Sequence, residues 1–290
     1  MSGDASDSSR ASEAVWTAER LKNPHAVADK QKRVRDMFAA IAPRYDLNNR
    51  LHSLGTDQRW RKKAVKLSRL KPLEVVVDVA CGTGDLTTAY YRDLSRLSAL
   101  KMPWEDLVPS VLGFDYTYEM LVQARRKAEH ESAIIPLPRA PSGKYVYPAP
   151  LSMWLPYIQG DAQSLPLPGA CCDIVSIAFG IRNVADPMRA LREFRRILRP
   201  GGRLVVLEFS RPTNPIIRRL YDFYCNQIMT RTAAWIAGDR TGAYRYLSAS
   251  VETFRTREQM KADIESAGFG DVEVHPLTFG VAVIYVGFVP

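Results

Sequence analysis

Cysteine is scarce in this sequence: Cys81, Cys171, Cys172 and Cys225 are the four in 290 residues. None stands in a CxxC spacing and two are adjacent. That excludes a disulfide framework or a zinc ribbon and fits a reducing, cytoplasmic setting. His52, His130 and His275 lack the neighbours a metal site needs, so no metal is expected. Long apolar runs are missing too, which excludes a membrane-spanning helix at the sequence level. The first residues, MSGDASDSSRASEA, have neither a basic start nor an apolar stretch. They predict no signal peptide, and residues 1–27 read as a small, polar, disordered tail.

What is present is positive charge, unevenly spread. Lys and Arg number 40 against 31 Asp and Glu, a net of +9. Between Arg20 and Lys71 stand fifteen cations and four Asp, so this stretch alone carries +11. The remainder is nearly balanced. A basic module of this kind suits an anionic membrane surface, a nucleic acid or an acidic substrate.

The spacing of Val34, Met37, Phe38 and Ile41 predicts an amphipathic basic helix over 28–42, and RWRKKAVKLSRL a second over 57–70. Short apolar strands then alternate with helices. Strands are predicted at 75–79, 111–115, 157–160, 174–178 and 204–209, and helices at 85–97, 118–130 and 187–198. A helix at 257–267 and strands around 272–275 and 281–288 complete the pattern. It argues for an α/β doubly wound, mostly parallel seven-stranded sheet. The last two strands read as a hairpin, so at least one edge strand should run antiparallel. Residues 98–110 and 131–156 read as inserted surface loops, the second holding six prolines. The division expected is 1–27 tail, 28–71 basic helices, 72–212 core, 213–256 helical insert and 257–290 final helix and strands.

The stretch EVVVDVACGTGDL puts Gly82-Thr83-Gly84 between a strand and a helix. Alone this is a weak dinucleotide signal. The third glycine is replaced by Thr87, and Asp78 stands four residues before Gly82, poor company for a pyrophosphate. S-adenosylmethionine has no phosphate, but a sulfonium, an ammonium and a ribose diol. Asp78 and the backbone of Ala80, Gly82 and Gly84 suit its methionine end. Asp115, followed by Tyr116, suits the diol. Asp161-Ala162 and the strand end at Ala178 suit the adenine, because such strand ends line one crevice. The competing reading of each Asp, taken alone, is a loop cap or helix N-cap.

These residues resemble the class I methyltransferases, and more narrowly the bacterial menaquinone and ubiquinone C-methyltransferases. YDLNNRLHSLGTDQRW (45–60), FGIRNVADPMRALREFRRILRPGGRLVVLEFSRP (179–212) and AYRYLSASVETF (243–254) carry the resemblance. It implies methyl transfer to a ring carbon of a polyprenylated quinol, demethylmenaquinol first, with benzoquinol as the alternative. Asn48, His52, Asp57, Ala80 and Ala178 depart from the residues usual in that family. With Asp57 in place of the usual histidine, that histidine has no counterpart here as a base.

The resemblance puts Arg182 near the phenol as an electrostatic stabiliser, with Asn183 orienting it and Tyr45 at the substrate. The competing reading of Arg182 is a salt bridge to Asp186 or Glu193. Tyr244 and Tyr246 read as pocket or as core. A prenylated substrate gives the basic module a use, as a contact with an anionic membrane at its cytoplasmic face, and the apolar stretch 214–238 stands where that family inserts its substrate-binding helices; the competing reading is that both segments pack on the core. A homo-oligomer or a quinone-biosynthesis complex is compatible with this. The rival readings are a nucleic-acid methyltransferase, another phenol or sterol methyltransferase, and a non-catalytic cofactor-binding scaffold. No nucleic-acid partner is expected, since the sequence has no amino-methylase motif and no RNA-binding module.

Overall fold

The computed structural model describes residues 16–99, 110–132, 155–232 and 242–290. Three helices come first: α1 (Lys30–Ile41), α2 (Tyr45–Ser53) and α3 (Thr56–Leu67). The alternation begins with β1 (Val76–Val79), α4 (Asp85–Ala99), β2 (Val111–Asp115), α5 (Tyr118–Ser132) and β3 (Tyr157–Gln159). It continues through β4 (Cys172–Ala178), α6 (Pro187–Ile197) and β5 (Leu198–Phe209). Next come α7 (Pro215–Phe223), a π-helical turn (Tyr224–Met229), α8 (Ala243–Glu252), α9 (Arg257–Ser266), β6 (Gly270–Leu277) and β7 (Ala282–Phe288).

The seven strands form one sheet in the order β3-β2-β1-β4-β5-β7-β6. The pairs among β1 to β5 are parallel, and β7 is antiparallel to both neighbours. The expected hairpin is therefore present. The strand that runs against the rest is β7, one place in from the edge, and not the edge strand β6.

Helices cover both faces, which explains why the central strands are apolar on both sides. Val77, Val79, Val175, Ile177 and Leu204 pack against α6 and α9. Val76, Ile174, Val205 and Leu207 pack against α3 and α4. Local signals start the helices. Asp186 caps α6, accepting from the Arg189 N–H at 3.1 Å, with Pro187 at the first helical position. Thr256 and Gln259 form a capping box on α9.

Two sequence expectations change at the N-terminus. The 1–27 tail is shorter than expected, because Trp16 is fully buried and stacks on Tyr246 with ring centroids 4.1 Å apart. A lone aromatic among small polar residues gives no periodic signal, and its burial is purely tertiary. Residues 1–15 lie outside the described residues. An unexpected helix, α2, separates the two basic ones. Most of the two inserts, and the end of the 214–238 stretch, also lie outside the described residues. Among the described residues no helix is long and apolar enough to cross a membrane.

Candidate active site

The crevice forms where the chain leaves β1, β2 and β4. Ala80 after β1 and Phe179 after β4 both take left-handed backbone, φ 51° and 58°. Such conformations cost residues with a Cβ about 1–3 kcal/mol each and cluster where a site demands them. A Cβ on Gly180 would meet the Ala80 Cβ at 2.5 Å, so glycine lets the two turns close on each other. The Gly82 N–H donates to Asp115 Oδ2 at 2.8 Å, and the Thr117 N–H to Asp115 Oδ1 at 2.8 Å. The tip of β2 thus holds the loop after β1. Burial pushes the Asp115 carboxyl upward, opposed by those donors.

These turns enclose a cavity of about 100 Å³ lined by Ala80, Gly82, Asp115, Tyr116, Asp161, Ala162 and Ala178. Seven of the nine residues expected at the cofactor meet here. Asp78 and Gly84 do not line it. Side chains alternate along β1, and Asp78 shares the α4-facing side with Val76. There it accepts from Thr87 Oγ1 at 2.7 Å and Ser176 Oγ at 2.8 Å. Burial raises its pKa to about 6. Asp78 braces the loop from beneath. Gly84 packs on Tyr157, whose Oη would stand 2.5 Å from a Cβ.

Helix α1 closes this cavity with Gln31, Val34, Arg35 and Phe38. Gln31 Nε2 donates to Asp161 Oδ2 at 2.7 Å, while the Gln163 N–H donates to Oδ1 at 2.9 Å. Arg35 is tied to Asp36 at 2.7 Å. The lining offers carboxylates and backbone groups, and among the described residues no cation other than Arg35. That donor set fits a ribose diol and a cationic ligand far better than a phosphate.

A second, larger cavity of about 270 Å³ lies among the helices, with Asn48, His52, Trp60, Arg61, Arg182 and Tyr244 in its wall. Tyr45 and Phe179 line both cavities, so the two adjoin at these rings. Burial raises the Tyr45 hydroxyl pKa, against the pull of Arg61. Arg61 lies 5.1 Å from the Phe179 ring centre and 3.8 Å from the Asp57 carboxylate.

Arg182 is 3% exposed. Its expected partners are engaged elsewhere: Asp186 caps α6, and Glu193 binds Arg196 at 2.7 Å. The ion pair is instead with Glu208 of β5, Nη1 to Oε1 at 2.5 Å. Nη1 also donates to Phe179 O at 2.8 Å, and Nε to Ser250 Oγ at 3.2 Å. Among the described residues Nη2 makes no hydrogen bond. Burial pushes the Glu208 carboxyl upward and the Arg182 charge opposes it.

The turn bearing Arg182 is held from the N-terminal module. Lys30 is buried and donates to Arg182 O at 3.0 Å and Val184 O at 2.6 Å. Burial, then the neighbouring Arg182 charge, lowers its pKa to about 8. His25, lowered to about 4 mainly by burial and then by Lys30, sits between Lys30 and Ser250 O. With Nε2–H donated to that carbonyl, Nδ1 accepts from Lys30. Asn183 lines the smaller cavity and, like Arg182, donates to Phe179 O. Tyr246 is core, but its hydroxyl donates to Asn183 Oδ1 at 3.0 Å.

The departures from the family pattern form their own contacts. Asn48 is buried and donates to Tyr244 Oη at 2.5 Å. Asp57 accepts from Ser53 Oγ at 2.7 Å and Gln58 Nε2 at 3.0 Å. Gln31, Lys30, Phe179 and Glu208 were not singled out by the sequence. Phe179 had a signal, since it stands in FGIRNV at a strand end. The other three act across more than twenty residues of sequence, and nothing local marks them.

The profile of the ubiE/COQ5 methyltransferase family matches residues 26–289. A demethylmenaquinone methyltransferase from Thermus thermophilus is 41% identical over 251 residues, covering 87% of this chain and 99% of that one. A ubiquinone/menaquinone biosynthesis C-methyltransferase UbiE from a Geobacter species is 37% identical over 265 residues, covering 91% and 99%. Among solved structures, a SAM-dependent methyltransferase from Thermotoga maritima superposes with a TM-score of 0.54 at 19% identity, covering 88% of this chain and 99% of that one. That likeness speaks for the class I methyltransferase fold. With a profile match over nearly all of its length and close relatives of the same extent, this chain belongs to the ubiE/COQ5 methyltransferase family.

Proposed function

We propose that the protein binds S-adenosylmethionine in the smaller cavity and C-methylates a polyprenylated quinol in the larger one, demethylmenaquinol in the first instance. The observation that carries this is the adjoining of two chemically different cavities at Tyr45 and Phe179. The names of the Thermus and Geobacter relatives support the acceptor class, and the second keeps benzoquinol as the alternative. Peripheral contact with anionic membrane at the cytoplasmic face belongs to the same reading.

The cofactor, when bound, supplies an electrophilic methyl group. Asp115 would accept from its ribose hydroxyls, Asp161 and the Ala178–Gly180 backbone would border the adenine, and the turns at Ala80 and Gly82 would hold the methionine end. Tyr45 and Phe179 border both ligands and keep water from the junction, so that the acceptor carbon is presented in line. Arg182 meets the phenol oxygen through Nη2. Glu208 neutralises much of the guanidinium charge, so its action is a short-range, charge-assisted hydrogen bond that eases loss of the phenol proton. Arginine keeps its own protons, so the phenol proton leaves to solvent or a bound water, and the proton on the acceptor carbon leaves the same way once that carbon carries the methyl group and the ring regains its aromatic quinol form.

Two expected outcomes test this reading. Asp115→Ala should weaken S-adenosylmethionine binding by about 1–3 kcal/mol, measured by calorimetry on the folded variant. Asp115→Asn should lose less, since it keeps one acceptor for the Gly82 or Thr117 N–H. Unchanged affinity in the alanine variant contradicts the ribose assignment. A reduced short-chain demethylnaphthoquinol should be methylated and its oxidised quinone should not, because only the quinol ring is electron-rich. Equal turnover on both forms, or on neither, contradicts the acceptor class.

A further inference from the structure

Helices α2 and α7 each turn one face to the larger cavity and leave an apolar stripe outside. On α2, Asn48, Asn49 and His52 line the cavity, while Leu47 and Leu51 are 60% and 51% exposed, and Leu54, which caps the helix in left-handed backbone, is 87% exposed. On α7, Tyr221 and Asp222 line it, while Ile216, Leu220 and Phe223 are 68%, 65% and 60% exposed. Ile216, Leu220 and Phe223 have the i, i+4, i+7 spacing of one helical face, and Leu47 and Leu51 the i, i+4 spacing, with Leu54 just past the end of α2. Helix α7 buries none of its nine residues, which its apolar content leaves unexplained in water. The two helices are joined where the Tyr224 hydroxyl donates to His52 O at 2.9 Å.

The charges beside the stripes are cationic. Arg50 lies on α2 and Arg218 and Arg219 on α7, all exposed. The acids of the two helices are each paired with a cation, Asp46 with Lys127 at 2.7 Å and the partly exposed Asp222 with Arg211 at 3.1 Å, while Arg50 reaches Asp85 at 3.7 Å and stays half exposed. An apolar stripe flanked by cations matches a bilayer whose headgroups are anionic and whose interior is hydrocarbon.

We propose that the outer faces of α2 and α7 are the bilayer-docking surface, seating the larger cavity at the membrane so that a prenyl tail stays in lipid while the quinol ring enters. This rests on the reading of the acceptor as a prenylated quinol. It shifts the main membrane contact from the whole basic module, where Lys30 and Arg61 are buried in internal contacts, to two stripes. Burial of these side chains in lipid is not screened by salt, so high ionic strength should weaken docking without abolishing it.

The test is vesicle flotation with phosphatidylcholine containing roughly 30% phosphatidylglycerol, a fraction large enough to give a negative surface. Two triple variants are compared with the wild type, L47S/L51S/L54S and I216S/L220S/F223S. None of these residues lines either cavity. Each variant should lose about tenfold or more of its partitioning. Each should keep S-adenosylmethionine affinity and turnover on a short-chain quinol within about twofold, and lose turnover on a long-chain quinol in vesicles. Flotation of both variants like the wild type overturns the proposal. So does a wild-type dimer in sedimentation that either variant dissociates, because the stripe then covers a second copy. Flotation that both variants retain in full, with short-chain turnover intact, removes the docking surface but leaves the methylation. Stripe-dependent flotation by a protein that methylates no quinol supports the surface and removes the acceptor.

Discussion

Replacing Arg182 with alanine should lower turnover about a hundredfold, near 3 kcal/mol, while S-adenosylmethionine affinity stays close to wild type. The guanidinium lines the acceptor cavity and is absent from the lining of the other. Its proposed hydrogen bond strengthens as the phenol oxygen gains charge, so its loss falls on the chemical step. The same change damages the fold. It strands Glu208, 2% exposed, without its cation, and breaking one side of a buried pair costs about 3–5 kcal/mol. A second variant separates the two effects. With Arg182→Met and Glu208→Gln combined, both buried charges are gone and much of the stability should return, but the turnover should not. Arg182→Lys should restore part of the rate, since the charge survives without the planar fork. Near-normal turnover in the double variant contradicts the catalytic assignment.

Trp16→Ala should cost about 3–5 kcal/mol, the usual range for deleting a fully buried large aromatic side chain. Trp16 has no exposed surface, packs with Met37, Ile41 and Tyr244, and stacks on Tyr246. A Cβ on Gly242 would meet Trp16 O at 3.0 Å, so the backbone fits closely there as well. The melting temperature should drop by roughly 10 °C. Because Tyr246 holds Asn183, the variant should also bind cofactor less well at temperatures where it is folded. Trp16→Phe keeps most of the stack and should lose much less. An unchanged melting temperature in the alanine variant would mean that the N-terminal contact is not formed in solution.

What the sequence could tell follows from how each contact is encoded. The central strands are short apolar runs bounded by turn residues, and β1, β2 and β4 appear within a few residues of where they were expected. That Asp115 and Asp161 meet in one crevice was legible because strand ends in such a sheet converge there. Asp78 misled because its place before Gly82 says nothing of which way its side chain points; the alternation along β1 turns it inward to Thr87 and Ser176. Helix α2 was missed since YDLNNRLHS combines two asparagines with leucines that stay more than half exposed, so its apolar face has no core to match. Glu208 was invisible for a different reason. In LEFS it reads as one acid ending a strand, and only the pairing of β4 with β5 brings it under the Arg182 turn.

The most direct test of the account is the position of the transferred methyl group. The protein is incubated with S-adenosylmethionine labelled in its methyl carbon and a reduced demethylnaphthoquinol, and the product is examined by carbon NMR. The account predicts the label on the ring carbon next to the quinol oxygen, with the Arg182→Ala variant giving the same product far more slowly. A label on oxygen, or no transfer by a protein that binds S-adenosylmethionine normally, would contradict it.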